Sequence, residues 1–269
     1  MSDPKPSEPS RQPRRSGPYN TSLERGLSIL AIFDQGHRSL SLAELTAMSG
    51  LDKSAVQRFT QTLLDLGYLK KDPATRRYSL SPRLLRLGSS FLRGNPLIER
   101  ATPYMLGCNR ETSETINLGV LDDDEVILVA RVPGREVLSP NVGLGSSFPW
   151  YASVLGQAIV AFYPQQERQR MVSGVRFVRH ASRTILSADK LVERLDSIRQ
   201  TGIVLATNEI YEGDISVAAP IFDYDGKVVA AVSIVVLRSS WSEEKAERLL
   251  PVVRQLAQTI SSNPRFPRS

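Results

Sequence analysis

The chain has 269 residues, 41% apolar and 23% charged, which is enough apolar content to bury a core in one large or two modest domains. One cysteine, Cys108, and two histidines, His37 and His180, exclude a disulfide framework and any multi-cysteine metal site. The net charge of +6 is uneven: residues 1–95 hold 15 Lys/Arg against 8 Asp/Glu and residues 96–269 hold 19 against 20, so the N-terminal third carries the surface suited to a polyanion.

Residues 1–19 are rich in Pro and Ser with almost no apolar side chains, and read as a disordered tail in which Arg11, Arg14 and Arg15 are either solvated or near nucleic acid. Thr21 and Glu24 suggest a capping box, followed by Leu23, Leu27, Ile29, Leu30 and Phe33 at helical spacing. His37 falls in the loop after this helix. Ser41 with Glu44 opens a second, short helix that Gly50 ends. Asp52 caps a third, with Val56, Phe59, Leu63 and Leu66 on one face, and Gly67 ends it. Two strands follow, 68–71 and 77–80, around the turn Asp72-Pro73-Ala74-Thr75. Ser81-Pro82 starts a basic helix, and Asn95-Pro96 starts another through Thr112 with Pro103 inside it. Beyond it the pattern is α+β. Strands are expected at 115–121, 126–132, 137–144, 203–209, 214–221 and 227–237, and helices at 150–162, 165–173, 187–201 and 242–261. Asp122-Asp123-Asp124 and Asp225-Gly226 supply hairpin turns.

Three helices and a basic hairpin over 21–81 make a winged helix-turn-helix. A recognition helix fits the DNA major groove and the wing reaches the neighbouring backbone or minor groove. On the third helix Lys53, Ser54, Gln57, Arg58 and Gln61 lie off the apolar face, with side chains that suit base edges and phosphates. The hairpin offers Lys70, Lys71, Thr75, Arg76 and Arg77, and the first helix adds Arg25.

The segments SLERGLSILAIF, SLAELTAMSGLDKSAVQRFTQTLLDLGYL and RRYSLSPRLLRLG resemble the DNA-binding half of the IclR family of bacterial transcription regulators. GLGSSFPWYASVLGQAIVAFYP and TGIVLATNEIYEGDISVAAPIFDYDGKVVAAVSI resemble its effector-binding half, so the likeness covers roughly 21–262. The opening TSLERGLSILAIFD is similar to regulators of aromatic-acid (β-ketoadipate-type) catabolism within the family. The resemblance implies a tail at 1–19, a winged helix at 20–81, a linker helix at 82–95, a GAF-like α+β domain with an antiparallel sheet at 96–263, and a tail at 264–269. It also implies dimers or tetramers on palindromic operator DNA and control by a small organic acid, as repressor or activator.

The effector residues that the resemblance implies are Leu144, Trp150, Tyr151, Ala152, Ser153, Leu155, Gly156, Ala206, Asn208, Glu209, Ser216, Val217 and Ala218. Backbone N–H groups near Ala152 and Ser153 at a helix start favour a carboxylate. Trp150 and Tyr151 either wall an aromatic ring or pack the core. Ser153 is either a cap or a ligand contact, and Asn208 or Ser216 could bond a ring hydroxyl. Ala206-Thr207 stands where many members have an acidic pair, and Ser216 where many have cysteine.

No nucleophile–base set emerges. Cys108 with His180 has no supporting motif, GLGSS lacks the Lys-Ser/Thr of a phosphate loop, and Asp122–Glu125 lacks calcium-loop spacing. Catalytic residues, metal and cofactors are therefore expected to be absent. The longest apolar run, Val228 to Leu237, contains Ser233 and falls short of the ~18–20 residues of a membrane span. The start lacks the apolar segment of a secretory signal, so a cytoplasmic protein without membrane partners is expected. Two other functions fit the basic start: an architectural DNA binder without a ligand, and a small-molecule enzyme with a winged-helix interaction module.

Overall fold

The computed structural model describes residues 18–35, 39–136 and 142–262. The arginines of the tail, His37 and residues 137–141 of an expected strand lie outside the described residues, as does everything after 262. The chain divides into two compact units between Phe91 and Leu92.

In the first unit α1 spans Thr21–Ala31, and a 3-10 turn follows at Ile32–Gln35. Its cap is not the expected Thr21–Glu24 box. Asn20 is extended and its side chain accepts from the Ser22 and Leu23 N–H groups, because the helix begins one residue earlier than that box requires. The apolar positions of α1 also split: Ile29 and Phe33 are buried, whereas Leu23 and Leu27 are 62% and 56% exposed. Helix α2, Leu42–Ser49, carries the Ser41/Glu44 capping box and ends at Gly50, whose φ of 65° suits a residue without Cβ. Asp52 caps α3, Lys53–Asp65, by accepting from Ala55 N–H at 2.8 Å. Val56 and Leu63 bury its inner face, but Leu66 is half exposed because it is already the C-cap. The wing pairs β1, Leu69–Lys71, with β2, Tyr78–Leu80, antiparallel. Leu40 and Tyr78 exchange both backbone hydrogen bonds, at 2.8 and 2.7 Å, which ties the wing to the entry of α2. Helix α4, Arg83–Arg93, follows and buries none of its residues.

The second unit starts with α5, Pro96–Thr112, one helix with Pro103 inside it. Its sheet has six antiparallel strands in the order β5-β4-β3-β8-β7-β6. These are β3 Thr115–Asp122, β4 Glu125–Val132, β5 Ser147–Pro149, β6 Val204–Thr207, β7 Asp214–Phe222 and β8 Val228–Leu237. Of the strand expected at 137–144, the described residues 142–144 are not strand: Gly143–Ser146 form a turn, with Ser146 N–H bonded to Gly143 O at 3.2 Å, and β5 follows that turn. Every residue of β7 is buried, so both faces of the sheet centre are covered. Helix α6, Val154–Val160, packs over β3, β7 and β8 on one face. Helix α10, Leu249–Ile260, covers β7 and β8 and packs on α5. Helix α6 is shorter than the expected 150–162, because Trp150–Ala152 form a turn before it. The helix expected at 242–261 is two, α9 Glu243–Glu247 and α10. Helices α7, Gln165–Gly174, and α8, Ala188–Thr201, flank the α6 side.

Candidate functional site

The outer face of α3 carries a continuous polar surface. Lys53, Ser54, Gln57, Arg58 and Gln61 are all exposed, while Ala55, Val56, Thr60 and Leu63 are buried beneath them. The Gln61 amide donates to Asp65 Oδ1 at 2.7 Å, one turn on. Arg25 on α1 is exposed. In the wing Arg76 is exposed, with a positive φ of 60° at the end of the turn.

Three of the wing side chains singled out by the sequence, Thr75, Lys71 and Arg77, have structural partners. Asp72 Oδ1 accepts from Ala74 N–H, Thr75 N–H and the Thr75 hydroxyl, and these bonds hold its carboxyl below the usual range. The Thr75 hydroxyl therefore braces the turn. Lys71 lies 4.8 Å from the centre of the Tyr78 ring. Arg77 donates to Ser39 Oγ and Ser39 O and pairs with Glu44 at 2.8 Å, so its guanidinium is tied at the surface to the entry of α2.

In the second unit one cavity opens above the sheet on the α6 side. Its floor is a polar stripe on alternate strand positions: Thr115 and Asn117 on β3, Arg131 on β4, Asp214 and Ser216 on β7, and Ser233 on β8. The register explains it, because Arg131 faces Asn117, Asn117 faces Ser233, and Ser216 faces both Val235 and Ala206. With a two-residue period, these side chains share one side of the sheet. The walls are Ala152–Leu155 at the start of α6 and Phe148 from β5, with Ile210 and Tyr211 after β6. The Phe148 and Tyr211 rings meet edge to face, 6.2 Å apart at 87°.

Two buried carboxylates border this space. Asp214 Oδ1 accepts from Asn208 N–H at 3.0 Å and Oδ2 from the Ser216 hydroxyl at 3.2 Å. Burial outweighs these bonds and raises its pKa to about 6. Glu209 accepts from Gln157 Nε2 at 2.7 Å and lies 3.3 Å from Arg194, and burial raises its pKa as well. Arg131 donates to Asn117 Oδ1 at 3.0 Å, and burial lowers its pKa.

Of the effector residues implied by the resemblance, Ala152, Ser153, Leu155, Ala206, Glu209 and Ser216 line the cavity. The other seven do not. Leu144 is 55% exposed in the turn before β5. Trp150 is 1% exposed within the core. Tyr151 turns its hydroxyl to Val178, accepting from the N–H at 2.8 Å and donating to the carbonyl at 3.0 Å, and packs on Phe177. Neither ring walls the cavity. Gly156 is a packing residue: a Cβ there would sit 2.4 Å from the Trp150 carbonyl oxygen, so glycine lets α6 start against that turn. Asn208, with φ 54°, shapes the loop before β7 by accepting from Gly213 N–H and donating to Ser182 Oγ, and it does not line the cavity. Val217 and Ala218 are buried away from the cavity surface. Ser153 sits at the N-cap of α6 without a side-chain capping bond, which leaves its hydroxyl to the cavity.

The residues that sequence reasoning missed, Asn117, Arg131, Asp214 and Ser233 above all, carry a signal: Asn117, Arg131 and Ser233 are polar within mostly apolar strands, and Asp214 is a charge that opens one. Elsewhere, the Cys108 thiol is buried and pushed up to about 11, as suits an inert core cysteine. Among the described residues no group of three or more His, Cys, Asp or Glu could hold a metal ion, and no helix is long and apolar enough to cross a membrane.

Residues 22–73 match the family model of the IclR helix-turn-helix domain, and residues 89–262 match that of the bacterial transcriptional regulator IclR C-terminal domain. The chain is 32% identical over 225 residues to the HTH-type transcriptional regulator KdgR of Escherichia coli strain K12, covering 84% of this chain and 86% of that one. It is similar to a solved transcriptional regulator from Rhodococcus sp. RHA1, with TM-score 0.76 and 31% identity over 90% of this chain and 97% of that one. The fold is also that of an IclR homologue from Microbacterium hydrocarbonoxydans complexed with 4-hydroxybenzoate, with TM-score 0.75 and 23% identity over 91% and 99%. The family and the named relatives are transcriptional regulators, not enzymes.

Proposed function

The chain belongs to the IclR family of bacterial transcriptional regulators, and on that premise we propose that it reads an operator half-site through α3 and is released or engaged by an organic acid in the second unit's cavity. Gln57 and Arg58 contact base edges, while Lys53, Ser54 and Gln61 serve bases or neighbouring phosphates. Arg25, Lys71 and Arg76 contact the backbone or minor groove, with Arg77 and Thr75 holding the wing in shape.

The acid has an apolar, aromatic body. The observation that carries this reading is the cavity itself: a polar floor beneath the edge-to-face pair of Phe148 and Tyr211, next to the opening turn of α6. The 4-hydroxybenzoate in the Microbacterium homologue makes that acid the first probe.

The protein acts as a homo-oligomer. Leu23 and Leu27 on α1 and Leu85, Leu87 and Phe91 on α4 are 53–72% exposed, a quantity of apolar surface that a second copy would cover. The α4 segment, within residues 82–95, is the linker, and the cytoplasm is the compartment.

Fluorescence anisotropy tests the whole reading, using full-length protein on DNA from its own upstream region and on random DNA of equal length. Tighter binding to the upstream DNA, altered by 4-hydroxybenzoate, is expected. Equal affinity for both DNAs favours the architectural binder. At 100 times its dissociation constant, a ligand that binds only the folded state adds about 2.7 kcal/mol of stability, which a thermal-shift screen detects.

A further inference from the structure

Arg131 is half-buried in the cavity floor, and its hydrogen-bond partner, Asn117, is neutral. Among the described residues no carboxylate lies within 4.0 Å of its guanidinium, although Asp214, Glu209 and Glu136 line the same cavity. Each of those acids is engaged elsewhere: Asp214 with Asn208 and Ser216, Glu209 with Gln157 and Arg194, Glu136 with the Ser240 hydroxyl at 2.8 Å. A guanidinium has five donors in a planar fork, and Asn117 Oδ1 accepts from one of them. Withdrawing such a charge from water without a counter-charge is unfavourable, and an anion entering the cavity relieves it.

We propose that Arg131 is the anion-binding residue of the cavity and takes the carboxylate of the effector by a charge-assisted, two-point hydrogen bond, with Asn117 holding the guanidinium in place. This rests on the reading of the cavity as the effector site. It adds the residue that selects acids over neutral molecules of the same shape. Asn117 and Arg131 are direct cross-strand partners, so the orientation is set by the sheet and not by a loop.

The test uses the full-length chain, calorimetry, and three probes: 4-hydroxybenzoate, its neutral amide 4-hydroxybenzamide, and pyruvate. The wild type is expected to bind the acid at least about tenfold more tightly than the amide. Arg131→Gln removes that difference by weakening the acid alone, and Arg131→Lys restores part of it. Equal binding of acid and amide by the wild type, or unchanged acid binding by Arg131→Gln, overturns the inference while leaving the aromatic-acid reading intact. Arg131-dependent binding of pyruvate, with no aromatic ligand bound, keeps the inference and removes the aromatic reading. If no probe binds, the ligand-free melting temperature decides. An uncompensated guanidinium predicts that Arg131→Met melts at or above the wild type, and a drop of about 5 °C or more marks a structural arginine and overturns the inference.

Discussion

Arg77 of the wing closes on Glu44 of α2, with Nη2 at 3.1 Å from Oε1 and 2.8 Å from Oε2. Glu44 Oε2 also accepts from Ser41 N–H at 2.7 Å, so one carboxylate serves both the capping box and the wing. Its pKa is lowered to about 2, chiefly by the Ser41 bonds and then by Arg77. The wing thus takes its position from the entry of the helix-turn-helix. Arg77→Ala and Glu44→Ala should each weaken operator binding, and the double variant should lose no more than the worse single one. Full additivity would separate the two roles. The sign for pH follows from a lowered carboxylate pKa: the contribution is present above pH ~4.5 and lost as pH falls through ~2. Circular dichroism of the first unit's helices during acid titration reads that window.

Arg58 projects from the exposed face of α3, beside Gln57. Bidentate base contacts carry ~1–3 kcal/mol of discrimination, so Arg58→Ala should cost about that on operator DNA and far less on random DNA. Anisotropy titrations on both sequences measure it. Equal losses would make Arg58 a phosphate contact.

Lys71, Arg76 and Arg25 are the backbone contacts. Removing one should lower the slope of log affinity against log salt by about 1. Arg77→Ala should leave the slope nearly unchanged while weakening binding, since its charge is already paired with Glu44. A reversed result, with Arg77 altering the slope and Arg76 leaving it flat, would exchange their roles.

The winged helix was legible because local rules fix it. Ser41, Asp52 and Gly50 act within a few residues of themselves, and the α3 face follows from helical period. The Arg77–Glu44 pair was not legible, because the two residues are 33 apart, beyond the reach of spacing. The cavity was half legible for a similar reason. Ala152, Ser153 and Leu155 sit together on one turn, but Arg131, Asn117, Ser233 and Ser216 meet only through the strand order β4-β3-β8-β7, in which β3 pairs with a strand more than a hundred residues later. Trp150 and Tyr151 stayed open between two readings, because aromatic side chains beside a turn fill cores as readily as they wall sites. The alternative reading, core packing, is what the structure has.

Asp214 gives the second unit a pH dependence. Its pKa rises from 3.8 to about 6 because burial disfavours the charge. The folded state therefore keeps a proton that the unfolded state has released. Its contribution is full below pH ~4 and is lost as pH rises through ~6, which over two units amounts to roughly 3 kcal/mol at most. Glu209, also raised by burial, acts in the same direction. Asp214→Asn keeps an acceptor for Asn208 N–H and a donor for the Ser216 oxygen. It should raise the melting temperature at pH 7.5 and flatten its change between pH 4.5 and 7.5. A larger destabilisation at pH 7.5 than at pH 4.5 would mean that the charged carboxylate is favourable in the fold.

The last prediction separates the wall of the cavity from the core behind it. Phe148 is half-buried and lines the cavity, edge to face with Tyr211, whereas Trp150, two residues on, is 1% exposed in the core. A ligand ring against Phe148 buries apolar surface at ~25 cal/mol per Å² and adds an aromatic contact of ~0.5–1.5 kcal/mol. Phe148→Ala should therefore weaken 4-hydroxybenzoate by about 3- to 10-fold, or more if the ring's apolar burial is also lost. Its melting temperature should change little, because the side chain already faces the open space. Pyruvate has no ring to lose, so any binding it shows should be unchanged. Trp150→Ala should behave in the opposite way, with a loss of about 3–5 kcal/mol of stability from the cavity it leaves. Calorimetry and thermal melts of the two full-length variants distinguish these outcomes. If Phe148→Ala leaves 4-hydroxybenzoate binding intact, the ring lies elsewhere in the cavity. If Trp150→Ala keeps wild-type stability and abolishes ligand binding, the tryptophan is the wall and the ring-wall role returns to it.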